Sequence, residues 1–127
     1  MWLLEVRGRR SGALRATPVD LLTVGEHRYL VAPRGFTEWV RNAEAVGEVA
    51  LRRGRRRTAY RVRALPEADR PPVLAAYLDR FRREVQRYFP VAAGAPPAAL
   101  APLAARYPVF ELHPWAEMLG KAERKHF

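Results

Sequence analysis

Between Arg7 and Pro18 the chain reads Arg-Gly-Arg-Arg-Ser-Gly-Ala-Leu-Arg-Ala-Thr-Pro, a set of residue types suited to holding an anion. Gly8 and Gly12 stand four positions apart and bracket Arg9, Arg10 and Ser11. Glycine takes positive φ without a Cβ penalty, so the segment reads as a tight turn between paired strands. Such a turn leaves backbone N–H groups free and surrounds them with two-pronged guanidinium donors. Beyond it, Arg15 and Thr17 are two residues apart and point to one face of the next strand. A second basic loop, Pro33-Arg34-Gly35-Phe36-Thr37, leads into a segment containing Trp39. The same residues also suit a solvated hairpin tip, because short basic turns keep proteins soluble.

The elements that must position these groups are mostly strands. Trp2 to Arg7 is a short apolar run ended by Gly8. Leu14 to Val24 reads as one longer strand, on an edge or bulged, since Pro18 has no N–H for a ladder. A turn at Val24-Gly25-Glu26-His27 leads to a third strand, Arg28 to Ala32, which makes an antiparallel meander. Thr37 is a candidate N-cap for a helix over Glu38 to Val46, which puts Trp39, Asn42 and Ala43 on one face. A fourth strand holds Val49 and Leu51, a basic turn spans Arg52 to Arg57, and a fifth strand spans Thr58 to Leu65.

From Glu67, apolar residues recur at helical spacing through Val73, Leu74, Tyr77, Leu78, Phe81, Val85 and Tyr88, until Pro90 stops the helix. Tyr77 and Tyr88 lie on the apolar face and read as core. Val91 to Pro102 is Ala/Pro/Gly-rich and reads as a flexible connector with one helical turn. Val109 to His113 is a last strand. The order β-β-β-α-β-β-α-β predicts a mainly β (α+β) fold: a six-stranded antiparallel, partly open barrel with two or three helices. Residues 1–113 form the barrel domain, and residues 114–127 form a basic tail.

Composition narrows the chemistry. The chain has 127 residues, the size of one domain, and its 49% hydrophobic content supports an ordinary core. A net charge of +10 draws anions: nucleic acid, an acidic surface or a phosphorylated or polycarboxylate molecule. The chain contains no cysteine, which excludes disulfides, thiolate catalysis and cysteine-ligated metals. The amino terminus carries a charge at Glu5 and lacks a long apolar run, so neither signal peptide nor membrane anchor is expected, and the expected location is cytoplasmic. His27, His113 and His126 fall in a turn, near a strand end and in the tail, without nucleophile or metal-ligand spacing. The acidic residues Glu5, Asp20, Glu38, Glu48 and Asp79 are scattered. Neither GxGxxG after a strand nor GxxxxGK[ST] occurs. Many anion contacts without redox or nucleophilic groups imply a cofactor that brings its own chemistry.

The series Gly8 to Pro18, with Val31-Ala32-Pro33-Arg34-Gly35 and Trp39-Val40-Arg41-Asn42, resembles the deazaflavin-dependent nitroreductase family. The Arg/Gly hairpin before the fifth strand and the closing Pro-Val-Phe-Glu-Leu segment extend the resemblance over roughly residues 2 to 113. Members of that family are split β-barrels related to the flavin-binding pyridoxamine-phosphate-oxidase group. The resemblance implies that Arg10, Ser11 and Gly12 hold the phosphate and acidic tail of coenzyme F-420. It implies further that Arg15, Thr17 and Pro18 lie along the deazaflavin, that Arg34 and Gly35 form the second anion loop, and that Trp39 is the aromatic at the helix start. It also implies hydride transfer to a small organic acceptor and a homodimer. FMN is the alternative ligand. A non-catalytic cofactor carrier and a basic nucleic-acid-binding barrel are the alternative functions, the latter less favoured because basic residues cluster in turns instead of along one groove.

Overall fold

The computed structural model describes residues 1–115. Seven strands and four α-helices are found among them: β1 Trp2–Arg7, β2 Leu14–Val19, β3 Leu21–Val24, β4 His27–Val31, α1 Glu38–Val46, β5 Glu48–Arg53, β6 Arg56–Ala64, α2 Arg70–Arg80, α3 Arg82–Val85, α4 Pro97–Leu100 and β7 Val109–Pro114. Short 3-10 turns precede α2 and follow α3 and α4. All pairings are antiparallel, in the order β2-β1-β5-β6-β7-β4-β3.

The expected six strands become seven because the run from Leu14 to Val24 divides at Asp20. Before Asp20 the chain pairs with β1, Trp2 opposite Val19; after it the chain pairs with β4, Leu21 opposite Leu30. The two edge strands are therefore consecutive in sequence, and the sheet must curl until its ends meet at one residue. This is the split barrel. Pro18 sits on the edge strand, opposite Leu3, where its missing N–H interrupts no second ladder.

Two apolar cores occupy the two sides. One holds Leu4, Val6, Leu30, Leu51, Tyr60 and Phe110 from the strands, together with Val40 and Ala43 of α1. The other packs α2, α3 and α4 on the sheet through Leu22, Val31, Leu74, Leu78, Val85 and Leu100. Every leucine named in either core except Leu22 is at most 1% exposed, so each is worth about 1.5–3 kcal/mol of transfer free energy.

The expected helix through Tyr88 is interrupted at Phe81, whose φ of −116° and ψ of 26° leave the helical region. The Phe81 ring packs on Tyr77 at 5.3 Å, and the bend turns Val85 and Phe89 into the core. Phe89 then stacks on Tyr107 at 4.4 Å. Nor is the segment from Val91 to Pro102 a loose connector. Gln86 donates to the Val91 carbonyl at 2.7 Å and accepts from the Ala93 N–H at 2.9 Å, while Asp79 accepts from the Gly94 N–H at 2.6 Å. Leu100 behind it is fully buried. Pro114 closes β7 opposite Tyr60. The tail expected from Pro114, including His126, lies from residue 116 onward outside the described residues.

Candidate cofactor site

The basic turn is closed by its own bonds. The Gly8 N–H donates to the Ala13 carbonyl at 2.8 Å, the Gly12 N–H to the Gly8 carbonyl at 2.9 Å, and the Ala13 N–H to Ser11 Oγ at 3.1 Å. Arg7 caps the Gly12 carbonyl at 3.0 Å. Only the amides of Arg10 and Ser11 are left without a partner among the described residues, fewer than the open turn leads one to expect. Gly12 takes a φ of 72°, as its type allows. Gly8 does not. It is glycine for space, because an added Cβ would stand 2.9 Å from Ser11 Oγ and 3.4 Å from Arg15 Nε.

Asn42 fastens this turn to α1. It is 2% exposed, and its Oδ1 accepts from the Arg9 backbone N–H at 3.0 Å and from Arg9 Nη1 at 2.8 Å. Arg9 Nη1 also pairs with Glu38 at 2.9 Å, which holds the Glu38 carboxyl below its usual range. The Trp39/Asn42 spacing thus has a structural meaning. Asn42 orients the turn, while Trp39, one helical turn earlier, packs on Phe110 at 5.8 Å and faces a cavity.

That cavity measures about 570 Å³ and lies between β2, the loop from Val31 to Arg34, α1, and the α2–α3 bend. Arg15, Thr17, Pro18, Arg34 and Trp39 line it, so five of the nine expected site residues come together there. Register explains two of the five, Arg15 and Thr17. Arg15 stands opposite Val6 and Thr17 opposite Leu4. Directly opposed residues of an antiparallel pair share a face, and Leu4 and Val6 face the barrel core. Arg10, Ser11 and Gly12 sit beside the cavity in the turn, not in its wall. Gly35 is also outside the wall; its φ of 82° lets the loop reverse so that its N–H reaches the Ala32 carbonyl at 3.1 Å.

Sequence reasoning missed the other wall. Asp20, Tyr77, Glu84 and Tyr88 line the cavity with Val85. Tyr77 and Tyr88 are core residues as expected, Tyr77 being 2% exposed, yet both also face this space. Burial raises the Tyr77 phenol above its ordinary pKa, and the carboxylates of Asp20 and Glu84 add to the effect. Burial likewise raises the Asp20 carboxyl, helped by Glu84 and opposed by the amino terminus and Arg80. The signal was the Asp20 interruption of an otherwise apolar strand. Only the topology shows that Asp20 faces α3.

Three features of the first wall fit an anionic, planar ligand. Among the described residues neither Arg15 nor Arg34 has a carboxylate partner. Thr37, at the N-terminus of α1, has a buried hydroxyl with no hydrogen-bond partner, and it lines the same space. Trp39, Pro33 and Val31 add a flat apolar surface.

The family model described as F420H(2)-dependent quinone reductase matches residues 1–93 of the chain. The chain belongs to that family. The description of that family is of an oxidoreductase dependent on reduced F-420. The solved structures agree on the fold. A protein of unknown function from Agrobacterium tumefaciens superposes with a TM-score of 0.66 at 14% identity, over 89% of this chain and 47% of its own. The chain thus spans about half the length of that protein. An F420-H2-dependent reductase, FDR-A, gives 0.60 at 18% identity over 88% of this chain and 92% of its own. An FAD-binding protein from Mesorhizobium loti gives 0.57 at 13% identity, over 87% and 78%. No curated protein matches the sequence.

Among the described residues, no helix is long and apolar enough to cross a membrane, and no three His, Cys, Asp or Glu side chains are grouped to hold a metal ion.

Proposed function

We propose that the chain binds F-420 in the cavity beside β2 and passes a hydride from the reduced form to a small organic acceptor of the quinone, nitroaromatic or enone type. One observation carries this reading: Arg15 and Arg34, two cations without carboxylate partners among the described residues, line the same cavity as Trp39. In this reading Arg15, Arg34 and the exposed Arg10, with Ser11, Gly12 and Gly35 shaping their loops, hold the phosphate and glutamyl groups of the cofactor. A charge-assisted hydrogen bond from arginine to phosphate is short and bidentate, so these contacts also set the depth of the ring. Thr17, Pro18 and Trp39 provide the wall for the tricycle. When bound, F-420 supplies the hydride chemistry that the side chains lack.

The protein's own contribution is placement and exclusion of water. Val31, Val85 and Trp39 provide apolar surface around the ring, and Asn42, through Arg9, keeps the basic turn beside the cavity. The exposed edge strand β2 supports a homodimer, since an unpaired edge seeks cover. Titration of the purified protein with F-420, followed by oxidation of the reduced cofactor with quinone, nitroaromatic and enone acceptors, tests the reading. Micromolar or tighter binding at physiological salt, with acceptor-dependent oxidation, supports it. Binding without turnover would leave a carrier, and absence of binding would overturn it.

A further inference from the structure

We propose that the β5–β6 hairpin docks the chain on an anionic lipid surface. From Arg52 to Arg57, five of six consecutive residues are arginine, arranged around Gly54. None of them lines the cavity, so the hairpin has no part in the cofactor reading above.

Register sets these charges against one another. Arg52 stands opposite Arg57 and Arg53 opposite Arg56, and directly opposed like charges destabilise a sheet. The first pair is relieved by Glu5 of the neighbouring strand β1, which lies 2.8 Å from Arg57 Nε and 3.5 Å from Arg52 Nε. The second pair has no such relief. Arg53 lies over the Trp2 ring, 4.2 Å from its centroid. Among the described residues, none of Arg53, Arg55 and Arg56 has a carboxylate partner. All three are exposed, and they stand past Leu3, where the pairing of β1 with β5 ends. A tip that gathers these guanidinium groups costs the fold stability, and an external anionic partner offsets their repulsion.

The surroundings of the tip favour lipid as that partner. Leu3, directly opposite Arg52, is 36% exposed, and Met1, next to Trp2 in the chain, is 80% exposed. Basic residues beside exposed apolar ones suit the boundary between headgroups and acyl chains, where both kinds gain. A nucleic acid would use the charge alone. Its unpaired bases need open aromatic faces, whereas Trp2 is packed against the barrel core and its ring is taken by Arg53.

The test is co-sedimentation of the whole chain, without cofactor, with vesicles of phosphatidylcholine alone and of phosphatidylcholine and phosphatidylglycerol in equal parts. Binding is expected to the mixed vesicles only, and it weakens as salt rises. Each arginine near such a surface contributes about fivefold in affinity, so Arg55→Ala/Arg56→Ala is expected to bind about 25-fold more weakly. Arg55→Lys/Arg56→Lys is expected to bind like the wild type, because a headgroup surface reads charge and not two-pronged geometry. Its retained binding also shows that these positions tolerate replacement. Arg82→Ala/Arg83→Ala removes the same charge from exposed positions on α3 and is expected to keep most of the affinity. Equal losses in the two alanine variants would mean that overall charge holds the chain, and would overturn the proposal. So would absence of binding to the mixed vesicles, or equal binding to both kinds. Tighter binding to a DNA duplex than to mixed vesicles at equal phosphate concentration, lost with Arg55 and Arg56, would make nucleic acid the occupant and overturn it as well.

Discussion

Replacing Asn42 by alanine tests how the basic turn is held. Asn42 Oδ1 accepts two hydrogen bonds from one residue, the Arg9 N–H at 3.0 Å and Arg9 Nη1 at 2.8 Å, and it does so 2% exposed. The backbone bond is neutral and is worth roughly 0.5–1.5 kcal/mol, while the guanidinium bond is charge-assisted and worth roughly 1.5–3 kcal/mol. Two circumstances reduce the sum. Arg9 keeps its bond to Glu38, and its side chain is 25% exposed, so water can solvate what the amide leaves. The expected loss in Asn42→Ala is therefore about 2–3 kcal/mol of unfolding free energy. Urea denaturation reads this as a fall in midpoint at unchanged slope. A cycle with Arg9→Ala separates the link from the packing, and a coupling of about 1–2 kcal/mol is expected for residues in direct contact. A loss under about 0.5 kcal/mol, or additive single mutants, would refute the claim that Asn42 anchors the turn.

Three further outcomes follow from other parts of the fold. Glu5, nearly buried, is held below its usual carboxyl value of 4.5, chiefly by the hydrogen bond from Arg57 at 2.8 Å and also by Arg52. Its contribution to stability is fully present above the unfolded-state value and is lost as pH falls through the lowered folded-state value. Denaturation midpoints measured from pH 7 down to pH 3 should therefore drop less steeply in Glu5→Gln than in the wild type; parallel curves would count against the pair. Leu100→Ala should cost about 2–5 kcal/mol, because the side chain is fully buried among α2 and α4 residues; a cost near zero would restore the connector reading of that segment. Gly12→Ala meets nothing within 4 Å but sits at a φ of 72°, so thermal unfolding should show a loss of about 1–2 kcal/mol from backbone strain alone.

The parts of the site written in contiguous residues were legible in the sequence: the turn from Gly8 to Gly12, the Arg15/Thr17 face and the helix with Trp39 and Asn42. Alternation and helical spacing are local signals, and the structure uses them locally. Three features escaped. The break at Asp20 is a single residue between two apolar dipeptides, Pro18-Val19 and Leu21-Leu22, and nothing in that pattern tells that the strand changes neighbours there. The bend at Phe81 falls on a position that continues the helical repeat, and tertiary packing against Tyr77 decides it. Asp20 and Glu84 are sixty-four positions apart, and they form a pair only because the curled sheet carries the β2–β3 corner to α3. The free-amide character of the basic turn was overestimated for a related reason. Ser11 closes a local serine turn on the Ala13 N–H, and Asn42, thirty-three positions away, supplies an acceptor that no turn propensity reveals.

The most direct test of the account is the affinity for F-420 of the wild-type chain, Arg15→Ala, Arg34→Ala and Arg55→Ala, followed by cofactor fluorescence at physiological salt. Arg55 lies in the β5–β6 hairpin and does not line the cavity. The account predicts a loss of roughly 1.5–3 kcal/mol, about tenfold to a hundredfold, for each of the two cavity arginines and none for Arg55. Equal losses at all three positions would mean that only overall positive charge attracts the cofactor. Unchanged affinity in Arg15→Ala and Arg34→Ala would place the cofactor elsewhere.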